Sequence, residues 1–256
     1  MSYTGIFDSH AHYDDPRFDP DRDEILRLLA EQGVAAVTNI GCDRPTSVAS
    51  MELSKRYPFI YATVGFHPHE ARYYERSDAL LMEQWCGEEK CVAVGEIGLD
   101  YHYDHSPRDV QRRVFEAQLQ LARELHMPVV IHSREATEDT LELLRKYRPQ
   151  GVVHCFSGSA ETAGEILRLG MYIGYTGVIT FPNARRVLSA VAETPLDRIL
   201  LETDCPYMAP APHRGTRCDS GMLGYVAEKI GEIKGIGAQE LIDRAAENTR
   251  QLYRIR

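Results

Sequence analysis

The chain has 256 residues, 43% hydrophobic and 26% charged, with a formal net charge of −9. That composition is globular and long enough for a sizeable core, and it contains no apolar run of bilayer-spanning length. The acidic balance excludes a broad basic face for coating nucleic acid, although it leaves open a nucleic-acid substrate at a local site.

In chain order, apolar and β-branched runs fall near 5–9, 34–40, 60–66, 92–97, 128–132, 151–155, 171–177 and 198–203. Most are apolar nearly throughout, as in Val34-Ala35-Ala36-Val37 and Pro128-Val129-Val130-Ile131. Strands covered on both faces read this way, so a parallel sheet is expected. Between them lie helical patterns. Asp19 to Gln32 carries Ile25, Leu28 and Leu29 and is expected to stop at Gly33. Pro107 to His126 is a long helix with Val110, Val114, Leu121 and Leu125 on one stripe. Residues 134–147, 159–169 and 182–193 continue the alternation, and helices near 221–234 and 238–253 follow, separated by Gly235-Ile236-Gly237.

Eight strands, each followed by a helix, predict an α/β fold: a (β/α)8 TIM barrel with extra C-terminal helices. Strand order is not written in the alternation, so an open doubly wound sheet is the alternative. No linker, repeat or low-complexity tract divides residues 1–256, which are expected to form one domain. The N-terminus lacks a basic stretch followed by an apolar run, and the six cysteines form no CxxC pair. A cytoplasmic location with free thiols is therefore expected.

Polar residues gather at the strand ends: Asp8-Ser9-His10-Ala11-His12, His67-Pro68-His69, Glu96, His132, His154 and Glu202-Thr203-Asp204. In a barrel these ends meet on one rim, where active sites of this fold sit. His10 and His12 are two apart on an extended segment, so both imidazoles face one side and can reach one cation. Glu96 can bridge two cations through its two oxygens. His132 and His154 can hold the second cation, and Asp204 can complete the first. Imidazole with carboxylate suits Zn, Mn or Fe, and open water positions also admit Mg, so two divalent metal ions are expected.

Each residue has a plainer reading. A lone histidine at a strand end is ordinarily a hydrogen-bonded core residue, and Asp204 ahead of Pro206 could be a helix N-cap. The joint occurrence decides against this: burying four imidazoles and two carboxylates together without metal would cost several kcal/mol each, on the order expected for unpaired polar groups. Asp204 is the candidate for orienting a nucleophilic water and accepting its proton. Glu202, two residues earlier on the same strand face, is expected to steady a ligand histidine or a rim arginine.

His10-Ala11-His12, Gly65-Phe66-His67-Pro68, Gly95-Glu96-Ile97-Gly98-Leu99-Asp100-Tyr101, Ile131-His132-Ser133-Arg134, His154-Cys155-Phe156-Ser157-Gly158 and Glu202-Thr203-Asp204-Cys205-Pro206-Tyr207 together resemble the TatD family of metal-dependent DNases. The resemblance runs from the first strand to the last helix, including Asn248-Thr249. It implies one cation on His10, His12, Glu96 and Asp204 and another on Glu96, His132 and His154. It also implies that His67 contacts the scissile phosphate or protonates the leaving group; a loop histidine held by Pro68 is the plainer reading. One departure follows Arg214-Gly215. TatD-like chains usually carry Lys, Asn, Glu and Pro there, whereas this chain has Thr216-Arg217-Cys218-Asp219-Ser220-Gly221.

Arg214 can fork onto phosphate oxygens or be a surface residue of a Pro-rich loop, and Arg134 with Ser133 are weaker phosphate candidates. Tyr101 and Tyr103 can stack on a base. The expected function is a 3′-directed deoxyribonuclease on single-stranded or damaged DNA, with the polarity implied only by the resemblance. No membrane and no obligate protein partner are expected. Amide, ester or lactone hydrolysis, including aminoacyl-tRNA ester cleavage, uses the same chemistry and is the alternative. A non-catalytic scaffold would have no use for six converging ligands.

Overall fold

The computed structural model describes residues 3–255. Among these, eight strands alternate with nine α-helices. The strands are β1 (Ile6–Ala11), β2 (Val34–Ile40), β3 (Ile60–Val64), β4 (Cys91–Asp100), β5 (Val129–Arg134), β6 (Gly151–Val153), β7 (Tyr172–Tyr175) and β8 (Ile199–Leu201). The helices are α1 (Arg22–Leu28), α2 (Arg44–Arg56), α3 (Arg76–Cys86), α4 (Arg108–Glu124), α5 (Thr137–Tyr147), α6 (Ala160–Arg168), α7 (Arg185–Glu193), α8 (Leu223–Lys234) and α9 (Ala238–Tyr253). The strands pair in sequence order, all parallel. A parallel bridge from Ala11 to Cys205 brings β1 to the end of β8, so the sheet closes as a (β/α)8 barrel and the open-sheet alternative falls.

Every strand contributes to a compact inner cluster: Phe7, Ala36, Tyr61, Val92 with Ala93, Val130, Val152, Tyr172 and Leu200. Leu252 and Tyr253 at the end of α9 pack onto that cluster, and the Tyr253 hydroxyl donates to the Ser9 carbonyl at 3.2 Å. Residues of the opposite parity, such as Val129, Ile131, Ile173 and Ile199, join the larger core formed with the helices. Two residues beyond Val130, Val152 and Leu200, the same side of the pleat carries His132, His154 and Glu202. The inner apolar cluster thus becomes a polar site toward the C-terminal ends of the strands. Asn248 ties α9 to the barrel by donating to the carbonyls of Leu196 (2.8 Å) and Ile199 (2.9 Å).

Two expectations need correction. The first helix ends at Leu28 rather than running to Gly33, and turns fill the interval. Gly33 instead takes φ +84° against the carbonyl of Tyr3, where a Cβ would collide. In α4 the buried face is Gln111, Val114, Phe115, Gln118, Leu119 and Ala122, while Val110 and Leu121 are only partly covered. Of the predicted stripe only Val114 lies on the buried face, which two glutamines share with the apolar residues. Both are buried and bonded to backbone. Gln118 accepts from the Phe66 N–H at 2.8 Å and donates to its carbonyl at 3.0 Å. Gln111 does the same for Asp100, at 2.8 and 3.0 Å. No described helix is long and apolar enough to cross a membrane.

Candidate metal centre

The barrel seam sets the first half of the site. The Asp204 N–H donates to the His10 carbonyl at 2.9 Å, and the His12 N–H donates to the Cys205 carbonyl at 2.8 Å. Asp204 takes φ +59°, a left-handed conformation that aspartate tolerates better than most residues. The helix-cap reading of Asp204 therefore fails: its backbone locks onto β1, and α8 starts only at Leu223. Asp8 braces this seam from below. Its buried carboxylate accepts from the N–H groups of His10 and Thr203 and from the hydroxyls of Thr203 (2.6 Å) and Ser220 (2.7 Å).

Nε2 of His10 and Nε2 of His12 lie 3.1 Å apart. Two ligands each about 2.1 Å from one cation, at right angles, stand about 3 Å apart, so this spacing is that of neighbouring ligands on a shared ion. Glu96 Oε2 lies 3.4 Å from His10 Nε2 and 4.0 Å from His12 Nε2. Asp204 Oδ1 lies 3.6 and 3.3 Å from the same two nitrogens. The other oxygen of Glu96, Oε1, faces a second group: His154 Nε2 at 2.6 Å, His132 Nδ1 at 2.9 Å and His67 Nε2 at 3.5 Å. One carboxylate is thus shared between two sets of imidazoles. His10 and His154 stack at 3.9 Å between ring centroids, and the buried Nδ1 of each has no hydrogen-bond partner.

Electrostatics fit the same picture. Burial opposes a charge on Glu96, yet His154 and His67 beside it, with hydrogen bonds from His10 and His132, hold its carboxyl well below the usual range. Asp204 is also held low against its burial, chiefly by the His12 hydrogen bond and the charge of His10. Burial and then the adjacent His154 push His10 down to about 4. Ionised carboxylates among buried imidazoles are the donor chemistry that divalent metals take. Three groups of potential ligand atoms emerge: His10, His12 and Glu96; His10, His154 and Asp204; and His67, Glu96 and His132.

All six predicted ligands meet, and His67 joins them at ligand distance. The sequence reading missed Asp100. Its Oδ2 lies 3.0 Å from His132 Nε2 and 3.1 Å from His69 Nε2, while Oδ1 accepts from the N–H groups of His102 and Tyr103. Together with Glu96, Asp100 lifts His132 to about 9, outweighing its burial. The signal was present, since Glu96, Gly98 and Asp100 share the period of two that pairs His10 with His12. Glu202 is fully buried; it accepts from the Cys155 N–H and lies 3.8 Å from His154 Nδ1, so it faces a histidine rather than a rim arginine. Gly174 makes room for it, because a Cβ there would collide with the carboxylate.

The outer candidates disperse. Tyr101 is engaged elsewhere: its hydroxyl donates to Asp139 at 2.6 Å and Arg108 covers its ring at 4.4 Å. Tyr103, half exposed, offers the freer ring, with Arg134 4.8 Å from its centroid. Arg214 is exposed and lies over Phe181 at 4.5 Å. In the atypical loop, Arg217 pairs with Asp21 and Ser220 with Asp8, so these residues hold the loop to the barrel.

The model of the TatD-related DNase family matches residues 7–254. The chain is 40% identical to an uncharacterized metal-dependent hydrolase, YabD of Bacillus subtilis strain 168, over 98% of this chain and 99% of that protein. It is 31% identical to a protein named 3′-5′ ssDNA/RNA exonuclease TatD from Erwinia tasmaniensis, over 98% of this chain and all of the other. The crystal structure of YJJV, a TatD homologue from Escherichia coli K12, superposes with a TM-score of 0.92 at 30% identity, covering 98% and 99% of the two chains. With a family match over nearly its whole length, this chain belongs to the TatD-related DNase family of metal-dependent hydrolases.

Proposed function

We propose that residues 1–256 form one catalytic domain that removes nucleotides from the 3′ end of single-stranded nucleic acid in the cytoplasm. Two divalent cations, Mg, Mn or Zn, would be held there: one by His10, His12, Glu96 and Asp204, the other by Glu96, His132 and His154. The observation that carries this reading is the division of Glu96, with one oxygen toward His10 and His12 and the other toward His132 and His154. Such cations supply Lewis acidity, making water a nucleophile at neutral pH and stabilising charge that builds on a phosphoryl group.

The chain's own groups do the rest. Asp204, acidic and beside both seam histidines, orients the water and takes its proton. Nδ1 of His67 accepts from the His69 N–H at 3.2 Å, so its proton sits on Nε2, which faces the cluster. Burial keeps this imidazole neutral, so Nε2–H donates to the phosphate or the leaving oxygen. Arg134 and Arg214, both exposed, supply charge toward the phosphate backbone. The polarity and the strandedness rest on the relatives that carry those names.

Metal-loaded protein incubated with a 5′-labelled single-stranded oligonucleotide should shorten it stepwise from the 3′ end. EDTA or Glu96→Gln should slow this by more than about 100-fold. Internal cuts would overturn the polarity. An intact oligonucleotide alongside turnover of an ester or lactone would move the activity to the alternative substrate class.

A further inference from the structure

A second recess opens on the same rim, between the ends of β5 and β6 and the helices that follow them. It encloses about 260 Å³ and shares His154 with the metal centre. Leu141, Leu144, Val153, Phe156 and Ile166 form the apolar part of its lining, each largely buried behind it. Its uncharged polar groups besides His154 are hydroxyls: Ser133 and Thr140, bonded to each other at 3.0 Å, with Thr137, Ser157 and Thr162. Arg134 and Arg186 stand at its edge, both exposed, and neither forms a salt bridge among the described residues. This recess plays no part in holding the cations beyond the shared histidine.

We propose that this recess binds the base of the 3′-terminal nucleotide, an inference that rests on the nuclease reading above. Its volume falls just below the about 300–1,000 Å³ of drug-sized pockets, so it suits one ring system rather than a stretch of strand. The edge of the Phe156 ring and the apolar side chains around it give a flat heterocycle a surface to lie on. The two arginines at the mouth can take a phosphate of the strand that leads into the site, upstream of the scissile one. Hydroxyl groups donate or accept as the partner demands, and no amide or acid lines the recess apart from Glu135 at its edge. The recess therefore requires a base without choosing among the four. His154 links the two halves: a phosphate at the metal centre leaves its nucleotide one imidazole away from the recess.

The test compares two single-stranded oligonucleotides, one with an ordinary 3′-terminal nucleotide and one whose terminal nucleotide lacks its base. For the wild-type protein, KM for the abasic end should rise roughly tenfold or more, the scale of losing one stacked base. The four ordinary bases should agree within a few-fold. Thr162→Phe fills the recess from α6 while keeping the N–H that Ser159 caps. It should raise KM for the ordinary end to the abasic value, so that the two ends no longer differ, while cation affinity measured with a chelating dye reports an intact metal centre. Arg186→Ala, at an exposed position, should raise KM for both ends several-fold.

Equal handling of both ends by the wild-type protein, or unchanged discrimination in Thr162→Phe, would overturn the base recess and leave the nuclease reading standing. Failure of the wild-type protein to cleave either oligonucleotide would overturn both. If Thr162→Phe does not fold, 2′-deoxynucleoside monophosphates titrated into metal-loaded wild-type protein decide the matter. Binding at least about tenfold tighter than deoxyribose 5-phosphate is expected, and equal affinity would overturn the recess.

Discussion

Asp100 places one carboxylate oxygen between two imidazoles, at 3.0 Å from His132 and 3.1 Å from His69. Because Nε2 of His132 is occupied this way, its Nδ1 must face Glu96, and the ring cannot flip without breaking a charge-assisted bond. Asp100→Asn keeps an oxygen for the N–H groups of His102 and Tyr103 but weakens the hold on His132. Cation binding should weaken by about 10–100-fold, measured by competition with a chelating dye. The melting temperature of the metal-free protein should barely move. Unchanged cation affinity would reduce Asp100 to a cap for the loop that follows it. The candidate ligands themselves were legible from residue type and position alone. The position of Asp100 was legible in the same period of two, but its role was not, because that depends on which nitrogen of His132 turns inward.

At the scale of elements, α4 shows where a sequence pattern misleads. Its interior face carries two glutamines because the backbones of Phe66 and Asp100 need donors and acceptors that neighbouring strands do not supply. A hydrophobic stripe cannot reveal this, since an amide whose two ends are both bonded can be buried without leaving a polar atom unmet. Phe66 precedes His67, so Gln118 also fixes the segment that presents that histidine. Gln118→Leu leaves an N–H and a carbonyl unmet and should cost about 2 kcal/mol or more in urea unfolding. Cleavage should fall with it. Loss of stability without loss of activity would separate α4 from the placement of His67.

For the molecule as a whole, the metal centre lies where the two ends of the barrel sheet meet. Reciprocal backbone bonds between β1 and the segment after β8 hold His10, His12 and Asp204 in one place. A cation bound across that seam favours the folded state over the unfolded one. At 100 times its dissociation constant it contributes about 2.7 kcal/mol. Added Mn or Zn should therefore raise the melting temperature by about 5–10 °C in the wild-type protein. His10→Ala should lose most of that gain. An equal gain in the variant would place the stabilising ion somewhere else.

The sequence alone determined the parallel strands, their number, the six candidate ligands and the family resemblance. These depend on residue type, on spacing along one segment and on short motifs. Only the tertiary structure decided the sharing of Glu96, the tether at Asp100, the buried amides of α4, the withdrawal of Tyr101 and the recess beside His154. Each of these depends on the direction of a side chain relative to a segment distant in the chain, and that direction exists only once the barrel has closed.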